Sequence, residues 1–232
     1  MIGWRYRERR DPMIRFLPIF LTCLWATAAV ADCPNSIVTG IDVSALISHD
    51  ELLMQVDGMV AALHSPAVIS AIQSRGCARF SVFVWGDQAP VVLLPWTDIG
   101  SDEQAEQASA KLLAAAGDYQ VPGGQLTDVS SALQFAWQLL EQAPPTGRQV
   151  VNIISNGESN RGPHPSILRT NMLAENITIN AVVFGPAENL DTWYRGNVTG
   201  GLGSFVMRIH GIEDVAAAYR SKFVMDLAQV TE

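Results

Sequence analysis

Gln149-Val150-Val151-Asn152-Ile153-Ile154-Ser155 is a near-continuous apolar run rich in β-branched residues. It has no polar face to offer water, so it predicts a strand buried on both sides, the kind found inside a parallel sheet. Similar runs lie on either side of it in the chain. Residues 36–43, 78–85 and 178–184 are β-rich, and residues 204–208 form a last short strand. Residues 91–96 make another, separated from 78–85 only by Gly86-Asp87-Gln88-Ala89-Pro90, a connection short enough to imply an antiparallel hairpin at a sheet edge.

Helical patterns fill the intervals. Ser48 and Glu51 have capping-box spacing, followed by Leu52, Leu53, Val56, Met59, Val60 and Leu63 at helical period. Pro66 marks a break, after which Val68, Ile69 and Ile72 predict a further turn or two. Residues 101–116, 129–142, 165–175 and 214–228 complete the helical set. Strand and helix alternate throughout, so the expected class is α/β: a three-layer, Rossmann-like, mostly parallel sheet with one antiparallel edge strand and helices on both faces. Such sheets bind ligands beyond the carboxyl ends of their strands, where strand order reverses. The loops after Val43, before Val129 and after Ser155 are therefore the places to look.

The N-terminal segment reads differently. Arg5, Arg7, Arg9, Arg10 and Arg15 precede a short apolar stretch that ends in Ala29-Val30-Ala31, the layout of a cleavable signal peptide over residues 1–31, with one domain over 32–232. Met13 offers a second start, because Met13-Ile14-Arg15-Phe16 already forms a basic head. The stretch is shorter than a spanning helix requires and Pro18 interrupts it, so no permanent membrane anchor is expected after cleavage. Residues 1–31 carry five arginines against Glu8 and Asp11, a formal +3, so their removal takes the chain from -8 to -11. An acidic mature protein is a poor partner for nucleic acid or an anionic bilayer and suits cations or basic partners. Cys33 and Cys77 then remain, and an even pair in an exported chain reads as one disulfide.

The three loops hold Asp42-Val43-Ser44-Ala45-Leu46, Gly123-Gly124-Gln125-Leu126-Thr127-Asp128 and Ser155-Asn156-Gly157-Glu158. This constellation resembles the von Willebrand factor type A (vWA) fold and its metal-ion-dependent adhesion site (MIDAS). The family pattern is Asp-x-Ser-x-Ser on the first loop, a Thr on the second and an Asp before Gly on the third. Asp42, Ser44 and Thr127 match. Leu46 replaces the second Ser, and Asn156 replaces the last Asp. Hydroxyl and carboxylate oxygens are hard ligands suited to Mg²⁺ or another divalent cation. The resemblance thus implies a metal site at Asp42, Ser44, Thr127 and Asn156, weakened or lost because Leu46 cannot ligate and Asn156 removes a charge. Taken singly, Asp42 and Ser44 also read as loop caps, and Thr127 as a helix N-cap.

A second resemblance is carried by Ile41-Asp42-Val43-Ser44, Pro66-Ala67-Val68-Ile69, Val92-Leu93-Leu94-Pro95-Trp96-Thr97 and the stretch from Trp193 to Val206. It is similar to a bacterial family of exported, vWA-like proteins, domain-of-unknown-function family 1194, which implies fold and export but no activity. Within the stretch from Tyr194 to Val206, Gly200, Gly201 and Gly203 read as a tight turn into the last strand rather than as a site. Trp85, Trp96 and Trp193 read as packing residues.

No enzyme is expected. His49, His64, His164 and His210 fall on separate elements without metal-ligand spacing, and neither a Gly-x-Ser-x-Gly elbow nor a phosphate loop is present. Glu158 is the one acid placed to act with Asp42 as a hydrolytic pair. The function expected is that of a periplasmic or secreted binding module that meets a protein partner through these loops. A hydrolase using the same cleft and an accessory subunit of an envelope complex are the alternatives.

Overall fold

The structure is a computed structural model, and it describes residues 1–3, 33–44, 47–124, 126–144, 147–185, 187–211 and 214–228. The signal segment and Leu46 lie outside the described residues. The chain divides into two compact units, Met1–Val30 and Ala31–Glu232.

The second unit contains, in chain order, β1 (Asn35–Asp42), α1 (His49–Leu63), α2 (Pro66–Gln73), β2 (Ala78–Trp85), β3 (Val91–Ile99), α3 (Asp102–Asp118), α4 (Val129–Gln142), β4 (Arg148–Ser155), α5 (Ser166–Ala174), β5 (Thr178–Phe184), α6 (Leu190–Asn197), β6 (Val206–Ile209) and α7 (Val215–Leu227). The sheet runs β3-β2-β1-β4-β5-β6. Only the β2–β3 pair is antiparallel, so the hairpin expected at an edge is found there. Pro95 is tolerated in β3 because an edge strand does not need every N–H.

Every residue of β1 and β2 is buried, as a strand covered on both faces requires. Alternate side chains feed two cores. Ile37, Ile41, Val150 and Ile154 face α1, α3 and α7, and Val38, Val151 and Ile153 face α4 and the α5–α6 side. These are the three layers.

Local chemistry sets the helix starts. The Ser48–Glu51 capping box is fully formed, Ser65 caps α2 and Ser101 caps α3. At α4 the structure departs from expectation: Asp128, not Thr127, is the N-cap, its Oδ1 accepting from the Ser131 N–H at 2.9 Å. That leaves the Thr127 hydroxyl available for other work. Helix α6 has no counterpart among the expected elements, because Gly196 and Asn197 are poor helix formers and the neighbouring glycines read as turn. It holds together by burying Leu190 and Tyr194 on one face, one turn apart.

A disulfide joins Cys33 to Cys77, with Cα atoms 5.0 Å apart, and ties the start of β1 to the start of β2. Among the described residues no single helix is long and apolar enough to cross a membrane.

Candidate functional site

Strand order reverses between β1 and β4, since the chain leaves β1 toward β2 on one side and takes up β4 on the other. The crevice this creates lies at the ends of those strands. Ile41 pairs with Ile154, so Asp42 and Ser155 are the next residues on either side of it.

Asp42 has no exposed surface. Its Oδ1 accepts the Ser44 N–H at 2.7 Å, and its Oδ2 accepts the Ser155 hydroxyl at 2.6 Å. The Asn156 backbone N–H also points at this carboxylate. Burial raises the Asp42 pKa above the ordinary carboxylate range, and the bonds from Ser155, Ser44 and Asn156 oppose that shift without cancelling it. The Ser44 hydroxyl in turn lies 2.8 Å from the Thr127 hydroxyl. Asp42, Ser44 and Thr127, the three sequence matches, are thus one hydrogen-bonded group. Asn156 joins it through its backbone, while its side chain is half-buried and makes no hydrogen bond among the described residues.

A second layer fixes the loops. Asn160 Oδ1 accepts the Thr127 N–H at 2.9 Å, and the Thr127 carbonyl accepts the N–H groups of Asn160 and Arg161. Ser159 Oγ accepts the Val129 N–H, and Ser130 Oγ donates to the Pro163 carbonyl. The loop after β4 is therefore latched to the loop before α4. Glu158 is exposed on it rather than turned onto Asp42. His64 and His164 each bond a neighbouring serine, Ser109 and Ser166.

Two participants escape sequence reasoning. Ser155 is legible in principle, as the polar end of an apolar strand in register with Asp42. Tyr194 is not, because it comes from the unexpected α6. Its phenol is fully buried and donates to the Gly157 carbonyl at 3.1 Å. Burial drives its pKa well above that of a free phenol, and the Asp42 carboxylate pushes the same way. Tyr194→Phe is expected to cost about 1 kcal/mol, the worth of one buried hydrogen bond. It should also speed amide exchange in residues 156–158, which hydrogen exchange on the purified variant would measure.

The rest of the Tyr194–Val206 stretch is taken up with structure. Arg169 Nε donates to the Thr199 carbonyl at 2.6 Å, and Gly200 exchanges both backbone bonds with Ile179. Gly201 has φ +93°, and a Cβ there would meet the Thr178 backbone. The stretch is a turn, as its glycines imply. Trp85 is buried, and Trp96 is anchored by donating from Nε1 to the Leu139 carbonyl.

Comparison with known proteins fits this geometry. The chain matches the family described as "Protein of unknown function (DUF1194)" over residues 32–231. It belongs to that family. Among solved structures it is similar to a von Willebrand factor type A protein from Catenulispora acidiphila, at 16% identity and TM-score 0.60, covering 83% of this chain and 42% of that one. It is similar also to the SpRpn10 VWA domain, at 15% identity and TM-score 0.59, covering 85% and 99%. A third is proximal thread matrix protein 1 from the mussel byssus, with a zinc-occupied MIDAS motif, at 20% identity and TM-score 0.59, covering 84% and 48%. At these identities the likeness establishes the vWA-like fold of this DUF1194 chain, which spans less than half of the first and third of these proteins. No curated protein matches it in sequence.

The MIDAS-bearing neighbour raises the question of whether a divalent cation fits here. Adjacent oxygens around an octahedral Mg²⁺ are about 2.9 Å apart, from ligand distances of about 2.0–2.1 Å. The Ser44–Thr127 hydroxyl spacing of 2.8 Å meets that requirement. The charge does not. Asp42 is the single carboxylate of the group, and its oxygens already serve three donors. No cluster of three or more His, Cys, Asp or Glu side chains occurs among the described residues. The donor set does not fit a tightly held cation.

Proposed function

We propose that this protein is an exported binding module, periplasmic or secreted, whose loops around Asp42, Ser44, Thr127 and Asn156 contact a protein partner without a tightly bound metal. The observation that carries this reading is the Asp42 group itself. A carboxylate with no exposed surface, held by donors from two loops at the strand-order reversal, is an unfavourable thing to bury for packing alone. It sits where open α/β sheets take their ligands. The Cys33–Cys77 disulfide supports an oxidising compartment. Glu158, the acid that a hydrolytic pair with Asp42 would use, is exposed, which favours the binding reading over the hydrolase alternative.

Asp42→Asn and Thr127→Val test it. In Asp42→Asn an amide replaces a carboxylate whose burial is unfavourable, and Ser155 can turn its hydroxyl to the Gly157 carbonyl at 3.2 Å. The fold should therefore keep its stability. Cross-linking in envelope extracts should recover a partner with the wild type, and each variant should weaken capture at least about tenfold, as loss of one central polar contact does. Equal capture by wild type and variants would overturn the assignment to these loops. Calorimetric titration with Mg²⁺ and Mn²⁺ is expected to give no saturable heat up to about 1 mM, the range of weak extracellular cation sites. Tighter binding, lost in Asp42→Asn, would restore a cation-bridged contact.

A further inference from the structure

Helix α7 packs against α1 at Gly58, where any Cβ would run into the Val215 side chain. Beside this close approach, over the carboxyl ends of β4, β5 and β6, lies a cavity of about 130 Å³. Its described walls include Gln55 of α1, Tyr219 of α7 and the apolar side chains of Ile154, Phe184, Ile209 and Val215. Gln55 is 5% exposed and Tyr219 1%. Even so, Nε2 and Oε1 of the Gln55 amide and the Tyr219 hydroxyl have no hydrogen-bond partner among the described residues.

Buried polar groups are ordinarily paired, so three orphaned atoms around one cavity call for a molecule that pairs them. Water alone does this poorly. The cavity has room for about four waters at roughly 30 Å³ each, and every one of them needs about three hydrogen bonds. Ile154, Phe184, Ile209 and Val215 offer none. Glu51, also on the wall, is already committed to the Ser48 capping box through Oε2.

The orphaned atoms select the chemistry of the occupant. Gln55 presents a donor and an acceptor side by side, so an amine would leave Nε2 unpaired and an anion would leave Oε1 unpaired. An amide edge satisfies both and stays neutral. Burial drives the Tyr219 pKa well above that of a free phenol, which keeps its hydroxyl protonated and able to donate. An apolar cavity of comparable volume, about 150 Å³, holds a benzene-sized ring.

We propose that this cavity binds a small neutral molecule with a carboxamide or lactam edge, paired with Gln55 and Tyr219, and a compact apolar body against Ile154, Ile209 and Val215. The cavity opens on the α1 and α7 face of the sheet, whereas Thr127 closes the Asp42 group from the α4 side. It is therefore independent of the partner-binding reading.

The purified, ¹⁵N-labelled protein would be titrated by NMR with δ-valerolactam and with cyclohexanone, the same ring without the N–H. Affinity would be read on the Gly185 and Gly211 backbone signals at the cavity wall. The lactam is expected to bind saturably, to shift the Gln55 side-chain amide signals, and to bind at least about tenfold more tightly than the ketone, the worth of one hydrogen bond. Gln55→Leu keeps the side-chain volume and removes an unpartnered amide, so it should fold and lose the preference between the two probes. Tyr219→Phe should fold likewise and bind the lactam about tenfold more weakly. No saturable shift with lactam up to about 10 mM, already weak for so small a ligand, would overturn the proposal. Equal affinity for the two rings in the wild type, or unchanged lactam affinity in both variants, would overturn it as well.

Discussion

Lys222→Met is expected to destabilise the protein by about 3–5 kcal/mol, the usual cost of removing one partner from a buried ion pair. Lys222 and Asp226 have no exposed side-chain surface, and Nζ donates to Asp226 Oδ2 at 2.9 Å. Asn152 Nδ2 donates to the same oxygen and Asn180 Nδ2 to Oδ1, each at 2.9 Å. Removing the ammonium leaves a carboxylate deep between α7 and the sheet with only two neutral donors. Burial lowers the Lys222 pKa and the Asp226 carboxylate opposes that, so the attraction offsets desolvation only while both partners are present.

Replacing Asp226 by Leu should cost at least as much, since it orphans two buried amides as well as the ammonium. The double variant should be less unstable than the sum of the two singles, by a coupling of about 1–3 kcal/mol. Urea unfolding of the four proteins measures it. Additive losses would mean that the pair does not act as a unit.

That network shows where the sequence is and is not readable. Asn152 and Asn180 stand in register in the middle of two adjacent apolar strands, and two amides facing one layer imply a buried acceptor. The acceptor itself is hidden. A Lys and an Asp four residues apart on a helix ordinarily describe a solvent-exposed pair, and nothing in residues 215–227 says otherwise. What buries it is the packing of α7 against the sheet.

The same division runs through the rest of the molecule. Strands β1, β2, β4 and β5 are legible because covered parallel strands need continuous apolar sequence, and the α1 start is legible because a capping box is local chemistry. Asp42, Ser44 and Thr127 can be found because three loops keep their chain order in this fold. Ser155 is visible as the polar end of an apolar strand, but its bond to Asp42 needs the register of β4 on β1, and Tyr194 cannot be placed without α6; register and helix both depend on tertiary packing.

Loss of the Cys33–Cys77 bond, by substitution of both residues with Ser or by reductant, should cost about 4 kcal/mol. The bond closes a loop across a sequence separation of 44, and the chain-entropy treatment places such a loop between the about 3 kcal/mol of a short one and the about 4.7 of a long one. The unfolded chain without it is more expanded and exposes more surface, so the urea dependence should steepen while the midpoint falls. A midpoint shift without that steepening would mean that the bond acts through native contacts instead. The bond sits at the start of β1 and Asp42 at its end, roughly 25 Å along an extended strand. At low temperature, where the reduced protein is still folded, the Asp42 group should keep its geometry, and with it the partner binding proposed for these loops. Compartment would then control this protein through stability alone: in a reducing environment the folded fraction shrinks, while each folded molecule remains competent.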